Sequence, residues 1–226
     1  MQPHINLPAP YLPHAGLIAA FEACPLIAIL RGVTPADAAD HGQALYEAGF
    51  RIVEVPLNSP QPFDSISAIR KVLPADAIVG AGTVLHPTFV DEVKAAGGEL
   101  VVMPHSDPEV VIAAKAQGLA CAPGVATPNE AFIALKNGAD VLKMFPAEQL
   151  GCQVVKAWRA VIATKVPLLP VGGITPDNMG PFLTAGANGF GLGSALYKPG
   201  QSAAVTASHA KAFINGLRIA RAGAKK

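Results

Sequence analysis

Pro25-Leu26-Ile27-Ala28-Ile29-Leu30-Arg31-Gly32-Val33-Thr34-Pro35-Ala36-Asp37 contains the unit from which the chain is built. Its apolar run predicts a buried strand, because short apolar runs bounded by turn residues are typical of parallel sheets. Thr34 and Pro35 then begin a helix, as its N-cap and its first helical residue. This helix is expected to run to Ala48 and to end at Gly49. The stretch therefore predicts one β/α unit.

The same unit recurs along the chain, which predicts eight strands, each followed by a helix. The predicted strands span residues 25–30, 50–57, 77–84, 100–103, 119–122, 141–145, 167–171 and 189–192. The helices that follow them are expected to end near residues 48, 72, 96, 117, 137, 164, 185 and 221. Eight such units predict an α/β fold, a closed (β/α)8 TIM barrel. An open doubly wound sheet is the competing architecture, but the repeat count and the length of 226 residues favour closure.

The two ends of the chain differ from the repeating part. Residues 1–13 are rich in proline and predict an extended N-terminal arm that is ordered only if it docks on something. Residues 14–226 are predicted to form a single barrel domain, which starts with a lead-in helix over residues 14–24. The tail at 222–226 is expected to fray.

Bulk composition excludes several classes of function. The chain is 51% hydrophobic and 15% charged, and its net charge of +1 offers no electrostatic footprint for nucleic acid. It shows no signal peptide and no apolar run long enough to span a membrane. Cys24, Cys121 and Cys152 are odd in number and widely spaced, which favours a reduced cytoplasmic protein over a disulfide or metal framework. The scarcity of charge also hints at apolar surface covered in an oligomer.

A lysine interrupts the sixth predicted strand, in Val141-Leu142-Lys143-Met144-Phe145-Pro146-Ala147-Glu148. A buried ammonium is unfavourable unless it is paired or discharged, and desolvation lowers the pKa of a lysine. The resulting free amine can attack a carbonyl carbon. The alternative is a lysine whose stem lies along the strand end while its charge reaches solvent.

Glu54 lies in the second predicted strand and is the natural partner of Lys143. Inward-facing residues of a barrel share one interior, so the carboxyl and the amine can meet there. This is the pair that Schiff-base chemistry requires, because the acid moves protons while the amine holds the substrate. The alternative is a structural ion pair, although such buried pairs stabilise poorly compared with apolar packing.

Glycine-rich loops follow the seventh and eighth predicted strands. Gly172 and Gly173 follow the first of these strands, and Gly193 precedes Ser194 after the second. Glycines let backbone N–H groups approach an anion, and these loops are the usual phosphate position in TIM barrels. The four residues are therefore predicted to bind phosphate, unless the loops are only tight turns.

Other polar residues follow the remaining strands. Arg31 can grip a carboxylate or phosphate through two hydrogen bonds, or form an ion pair at the rim. The Thr83 hydroxyl can bond a substrate carboxylate or cap the next helix. His105 is a loop histidine to which no role is assigned, and His86 is expected to belong to a helix start.

Five motifs together resemble a known family. They are Ile52-Val53-Glu54-Val55-Pro56-Leu57, Gly80-Ala81-Gly82-Thr83-Val84, Pro123-Gly124-Val125, the lysine motif from Leu142 to Glu148, and Gly172-Gly173-Ile174. They resemble the bacterial 2-keto-3-deoxy-6-phosphogluconate and 6-phosphogalactonate aldolases, over nearly everything from Pro25 to Ala195.

The resemblance implies a class I aldolase that uses neither metal nor cofactor. Lys143 would form the Schiff base, and Glu54 would be the general acid and base. Thr83 and Arg31 would hold the carboxylate derived from pyruvate, and Phe145 would wall the pocket. The ligands would be a phosphorylated keto-deoxy sugar acid and pyruvate, and the family is typically homotrimeric.

Two strand ends suggest which branch of the family the chain resembles. Gluconate-type enzymes usually carry arginine and threonine after the second-strand glutamate, and lysines after the first strand. Here Asn58 and Ser59 follow Val55-Pro56-Leu57, and Arg31 follows the first strand. Both features resemble the galactonate branch, with Arg31 replacing a cation that is absent at Asn58. A gluconate or dual-specificity enzyme, an isomerase or epimerase, and a non-catalytic phosphosugar-binding subunit are the alternatives.

Overall fold

A computed structural model describes residues 11–224, which fold into alternating parallel strands and helices. The strands are β1 Leu26–Ile29, β2 Ile52–Pro56, β3 Ile78–Gly82, β4 Leu100–Val102, β5 Ala120–Ala122, β6 Gly124–Val125, β7 Leu142–Met144, β8 Leu168–Pro170 and β9 Phe190–Leu192. The helices are α1 Ala15–Ala23, α2 Pro35–Glu47, α3 Pro62–Val72, α4 Phe89–Ala95, α5 Pro108–Ala116, α6 Pro128–Lys136, α7 Ala147–Trp158, α8 Met179–Thr184 and α9 Ala203–Ala224.

The strands curl into a barrel-like wall whose hydrogen-bonded ladder is not continuous. One sheet has the order β5-β4-β3-β2-β1-β9, and a second has the order β6-β7-β8. An isolated bridge between Val171 and Gly191 links the two sheets at one side. On the other side Pro123 separates β5 from β6, and proline has no N–H to donate to a ladder. The predicted α/β fold is confirmed. The expected fully closed barrel is wrong, because the strands form two separate hydrogen-bonded sheets, one ending at β5 and the other at β6.

The core has an inner and an outer part, because residues of each strand alternate between the two faces. Ile27, Ile52 and Ile78 point inward and share a buried cluster with Leu17 and Phe21 of α1. The predicted lead-in helix is therefore present, and it packs on the inner cluster. The outward residues of the strands pack against the surrounding helices in two further clusters.

Cap chemistry explains where several helices begin. Thr127 caps α6 in a capping box, since its hydroxyl accepts from the N–H of Glu130 and the Glu130 carboxylate accepts from the N–H of Thr127. Thr34 occupies the N-cap of α2, as expected, but its hydroxyl donates to Asp37 and makes no bond to the helix backbone. α7 ends at Trp158, short of the expected residue 164, and is interrupted at Gly151, whose φ is 72°.

The segment before α1 is tied to the strand region through Asp140. The Tyr11 hydroxyl donates to the Asp140 carbonyl, and the His14 N–H donates to its carboxylate at 2.6 Å. Residues 1–10, most of the predicted arm, lie outside the described residues, so the division into arm and single domain stays a prediction. Residues 222–224, expected to fray, continue α9. None of the described helices is long and apolar enough to cross a membrane.

Candidate active site

Lys143 and Glu54 lie in different sheets but line the same cavity. Lys143 is the middle residue of β7 and is 6% exposed, and Glu54 of β2 is 2% exposed. Apart from these two side chains, the cavity of about 10 Å³ is lined by apolar residues and one glycine. That volume is close to the space that one water molecule needs. The predicted meeting of the two groups inside the barrel is thus present, with the lysine turned inward.

Burial shifts both groups toward their uncharged forms. Desolvation lowers the pKa of Lys143; Glu54 raises it and Arg31 lowers it. Desolvation raises the pKa of Glu54, against the opposing effects of Lys143 and Arg31. Within the described residues neither group forms a direct ion pair. The amine is therefore more readily available as a nucleophile than an exposed lysine would be, and the carboxyl more readily carries a proton.

Gly82 makes the space that the Glu54 carboxyl occupies. A Cβ placed on Gly82 would overlap Oε2 of Glu54. That oxygen is buried, and in the described part of the protein it has no hydrogen-bond partner. A buried acceptor without a partner is unfavourable, so its presence beside the amine is typical of a functional group.

Arg31 and Asn58 join the loops after β1 and β2. The Arg31 guanidinium donates from Nη1 to Oδ1 of Asn58 at 2.7 Å, and the N–H of Gly32 donates to the Ser59 hydroxyl at 2.9 Å. Among the described residues Arg31 has no carboxylate partner, so the rim ion pair considered for it is wrong. Its remaining N–H groups are available to an anion.

Thr83 has an unusual backbone conformation directly after β3. Its φ is 54°, which a β-branched residue rarely adopts. Such strain is of order 1–3 kcal/mol and persists where the surrounding structure imposes it, often at functional sites. Thr83 is not the cap of the next helix, since α4 begins at Phe89 with Thr88 as its N-cap. Phe145 lies beside the lysine, with its ring centroid 5.2 Å from Lys143 Nζ.

The glycine loops after β8 and β9 present unused backbone donors. The N–H groups of Gly172, Gly173, Ser194 and Ala195 have no acceptor within residues 11–224. Gly172 and Gly173 have φ values of 106° and 66°, a region that favours glycine. Gly193 and Ser194 lie at the start of a turn in which the Gly193 carbonyl accepts from Leu196 and Tyr197. Free N–H groups of this kind can bind an anion.

The two histidines of the sequence analysis stay apart from the cavity. His105 is exposed, and its Nε2 lies 4.0 Å from Oδ2 of Asp107. His86 bonds the Thr88 hydroxyl at 2.9 Å, next to the start of α4, as expected for a helix start. In the described part of the chain no three His, Cys, Asp or Glu side chains are grouped to hold a metal ion.

Sequence reasoning missed Glu148 as a neighbour of the glycine loop. Its carboxylate lies against Gly172 and Gly173, where a Cβ on Gly172 would overlap Oε2. The missed signal is that Glu148 lies in the first turn of α7, which follows β7. Because β7 pairs with β8, the loops after these two strands are neighbours. This contact and the positive φ values of both residues together favour glycine in the loop.

A parallel α/β fold with a desolvated amine and a carboxyl in one cavity is the arrangement of an enzyme that acts on carbonyl compounds. A family model described as "Aldolase: KDPG and KHG aldolase" matches residues 17–208. The chain belongs to this family of aldolases.

Several known aldolases are similar to this chain in sequence or in structure. The chain is 47% identical to 2-dehydro-3-deoxy-6-phosphogalactonate aldolase of Escherichia coli K12, over 87% of this chain and 96% of the relative. A solved structure described as native KDPGal has 46% identity and a TM-score of 0.86, covering 88% of this chain and 96% of that one. KDPG aldolase of Legionella pneumophila, solved with pyruvate captured as a covalent carbinolamine, has 26% identity and a TM-score of 0.75, with coverages of 91% and 97%.

Proposed function

We propose that this enzyme is a class I aldolase that cleaves 2-dehydro-3-deoxy-6-phosphogalactonate to pyruvate and D-glyceraldehyde 3-phosphate. The observation that carries the proposal is the desolvated Lys143 amine in one small cavity with the Glu54 carboxyl. The carbinolamine captured in the Legionella relative supports the same chemistry.

Lys143 would act first as the nucleophile. Its neutral amine adds to the C2 carbonyl of the substrate, and the carbonyl oxygen becomes the hydroxyl of a carbinolamine. Glu54 in its protonated form gives a proton to this hydroxyl, which leaves as water, and an iminium ion remains. The raised pKa of Glu54 supports this step, since it favours the proton-carrying form.

Glu54 would then act as the base. Its carboxylate takes the proton of the C4 hydroxyl, the C3–C4 bond breaks, and the electron pair of that bond moves toward the iminium nitrogen. The aldehyde leaves, and the enamine that remains on Lys143 is protonated at C3. Addition of water then releases pyruvate and restores the amine.

The surrounding residues would hold the two ends of the substrate. Arg31 and Thr83 bind the carboxylate, and Asn58 orients Arg31 through their 2.7 Å hydrogen bond. Phe145 walls the pocket beside the lysine. The unused N–H groups around Gly172, Gly173, Gly193 and Ser194 bind the phosphate.

Trapping with borohydride tests the mechanism. Incubation with pyruvate and borohydride is expected to add a reduced pyruvyl group to Lys143, as seen by peptide mass spectrometry. Lys143→Ala should abolish the adduct, whereas Lys136→Ala, which removes an exposed lysine of α6, should leave it unchanged. No adduct in the unaltered enzyme, or an adduct that survives Lys143→Ala, would discard the proposal.

A second variant tests the proton transfers. Glu54→Gln keeps the size of the side chain but cannot shuttle a proton, so turnover is expected to fall about a hundredfold or more. The fold should persist, which circular dichroism checks. An unchanged rate would remove Glu54 from the mechanism.

The choice of the galactonate substrate rests on Asn58, its bond to Arg31, and the 47% identity to the Escherichia coli enzyme. The two candidate substrates differ in the configuration of one hydroxyl, which hydrogen-bonding groups can discriminate. Cleavage of both epimers under matched conditions tests this choice. A higher kcat/KM for the galactonate epimer is expected, and a preference for the gluconate epimer would contradict it.

The enzyme is further proposed to be a cytoplasmic homotrimer. Leu85, Phe89, Ile112 and Ile133 are exposed apolar residues on or beside the neighbouring helices α4, α5 and α6. Sedimentation should give three times the mass of the chain. Phe89→Asp should lower that mass, while Ile219→Asp on α9 should not, and a monomeric unaltered protein would refute assembly.

The free thiols of Cys24, Cys121 and Cys152 support the proposed cytoplasmic location, because the cytoplasm is a reducing compartment.

A further inference from the structure

A buried histidine outside the cavity begins a chain of hydrogen bonds. His41 on α2 is 2% exposed, and its Nδ1 lies 2.8 Å from the hydroxyl of Thr206 on α9. Its ring also packs edge-on against Tyr197, with the centroids 4.9 Å apart. The proposed mechanism uses neither His41 nor Thr206.

The chain continues through Gln201 to the loop after β9. Nε2 of Gln201 donates to the Thr206 hydroxyl at 2.8 Å and to the carbonyl of Leu196 at 3.0 Å. Its Oε1 accepts from the N–H of Lys198, also at 3.0 Å. Nδ1 of His209 lies 3.0 Å from the same Leu196 carbonyl. One side-chain amide therefore links the buried hydroxyl to the backbone on both sides of Tyr197.

Leu196 closes the turn that carries the proposed phosphate donors. Its N–H donates to the carbonyl of Gly193 at 2.9 Å, and the side chain of Leu196 is fully buried. Ser194 and Ala195 lie between these two residues and are exposed. The direction of their N–H groups thus depends on how firmly Leu196 is held.

We propose that His41 is a positioning residue for the phosphate-binding turn Gly193–Leu196, acting through Thr206 and Gln201. The proposal rests on the function proposed above, because it assigns the turn to the substrate phosphate. Two N–H groups bind one phosphate well only when their directions are set before the ligand arrives. His41 contributes by holding the Thr206 hydroxyl, which in turn fixes the amide of Gln201.

The Thr206 hydroxyl has several possible hydrogen-bond partners. The Thr206 hydroxyl accepts from Gln201, so its own proton goes either to His41 Nδ1 at 2.8 Å or to the Ser202 carbonyl at 3.5 Å. A contact of 2.8 Å suits a hydrogen bond in either direction, because the tautomer of the His41 ring sets which atom donates. Burial lowers the pKa of His41, against the effects of Asp37 and Asp40, which supports a neutral ring that can accept this proton.

The test compares substrates with and without phosphate in the condensation direction. Pyruvate is offered with D-glyceraldehyde 3-phosphate or with D-glyceraldehyde. His41→Leu is expected to raise the KM for the phosphorylated aldehyde about tenfold, and to leave kcat/KM for D-glyceraldehyde within a factor of about two. Inhibition by inorganic phosphate should weaken by the same factor as the KM rises.

Two conservative variants and a control sharpen the result. His41→Asn keeps an acceptor near the position of Nδ1 and should restore most of the phosphate preference. Thr206→Val removes only the hydroxyl and should reproduce His41→Leu, which keeps the test decisive if His41→Leu does not fold. Leu45→Val perturbs the buried face of the same helix. It should change kcat/KM for both aldehydes equally, or for neither.

Three outcomes would overturn the inference. An equal loss of kcat/KM for both aldehydes in His41→Leu or Thr206→Val would mean that the hydrogen-bond chain has a purely structural role. An unchanged phosphate preference would mean that the turn does not depend on His41, and failure of His41→Asn to restore it would remove the hydrogen bond from the explanation. If instead the unaltered enzyme shows no cleavage and no borohydride adduct, the proposed function fails. Inorganic phosphate titrated into the unaltered protein and into His41→Leu by calorimetry then still decides the role of the turn.

Discussion

At the scale of single residues, the Lys143 amine is tuned by two neighbours with opposite effects. Arg31 lowers its pKa and Glu54 raises it, on top of the dominant lowering by burial. We expect Arg31→Met to raise the pKa of Lys143, because a nearby positive charge disappears, and Glu54→Gln to lower it, because a negative charge disappears.

This expectation is checked by NMR titration of ¹³C-labelled lysine side chains, with Lys143→Met used to assign the signal. In the unaltered protein the titration midpoint of Lys143 should lie below 10.5, the ordinary pKa of a lysine. If Arg31→Met and Glu54→Gln shift the pKa of Lys143 in the same direction, then Arg31 and Glu54 do not act on the amine as described.

Gly82 is a second residue whose effect is local. Because a Cβ there would overlap the Glu54 carboxyl, Gly82→Ala is expected to displace that group and to slow turnover about a hundredfold or more, as loss of the acid and base would. Borohydride trapping of pyruvate on Lys143 should slow less, since the amine stays in place. Gly42→Ala, whose new Cβ meets only the Ile69 side chain, is the control. Full activity in Gly82→Ala would contradict the assigned geometry.

At the scale of elements, two helices with the same sequence start differ in their caps. Thr127 and Thr34 both precede a proline, but only the Thr127 hydroxyl accepts from the helix backbone. Thr127→Ala is therefore expected to lower the free energy of unfolding by about 1 kcal/mol. Thr34→Ala should lower it by less, because the side chain of Thr34 bonds only Asp37. Urea unfolding at neutral pH measures both, and equal losses would contradict the capping assignment.

At the scale of the whole molecule, Asp140 joins segments that are distant in sequence. Its carboxylate is fully buried, lies 2.8 Å from Lys115 Nζ, and accepts from the N–H groups of His14 and Cys121. Asp140→Asn leaves the lysine without its partner, so a loss of about 3 kcal/mol in the free energy of unfolding is expected.

The exposed pair of Arg51 and Asp76 is the matched comparison. These groups lie 3.1 Å apart, but the Asp76 side chain is 57% exposed, so Asp76→Asn should cost less than about 1 kcal/mol. Urea unfolding at pH 7 separates the two cases. Similar losses for both variants would mean that burial does not set the strength of the Asp140 pair.

The sequence by itself determined the order of the helices and of every strand except the short β6. It also determined the lysine and the glutamate inside strands, and the glycine loops. These features depend on local signals, such as apolar runs, Thr-Pro starts and glycine stops, which need no knowledge of distant contacts. For that reason the predicted strands and the lead-in helix agree with the structure to within a few residues.

Only the tertiary structure decided how these parts meet. The shared cavity of Lys143 and Glu54, the space left by Gly82 and the strained φ of Thr83 depend on strands that are far apart in sequence. The break in the ladder at Pro123 and the chain from His41 to Leu196 likewise depend on register and packing between elements. No local pattern encodes such contacts, because each is the sum of many weak interactions that exist only once the chain has folded.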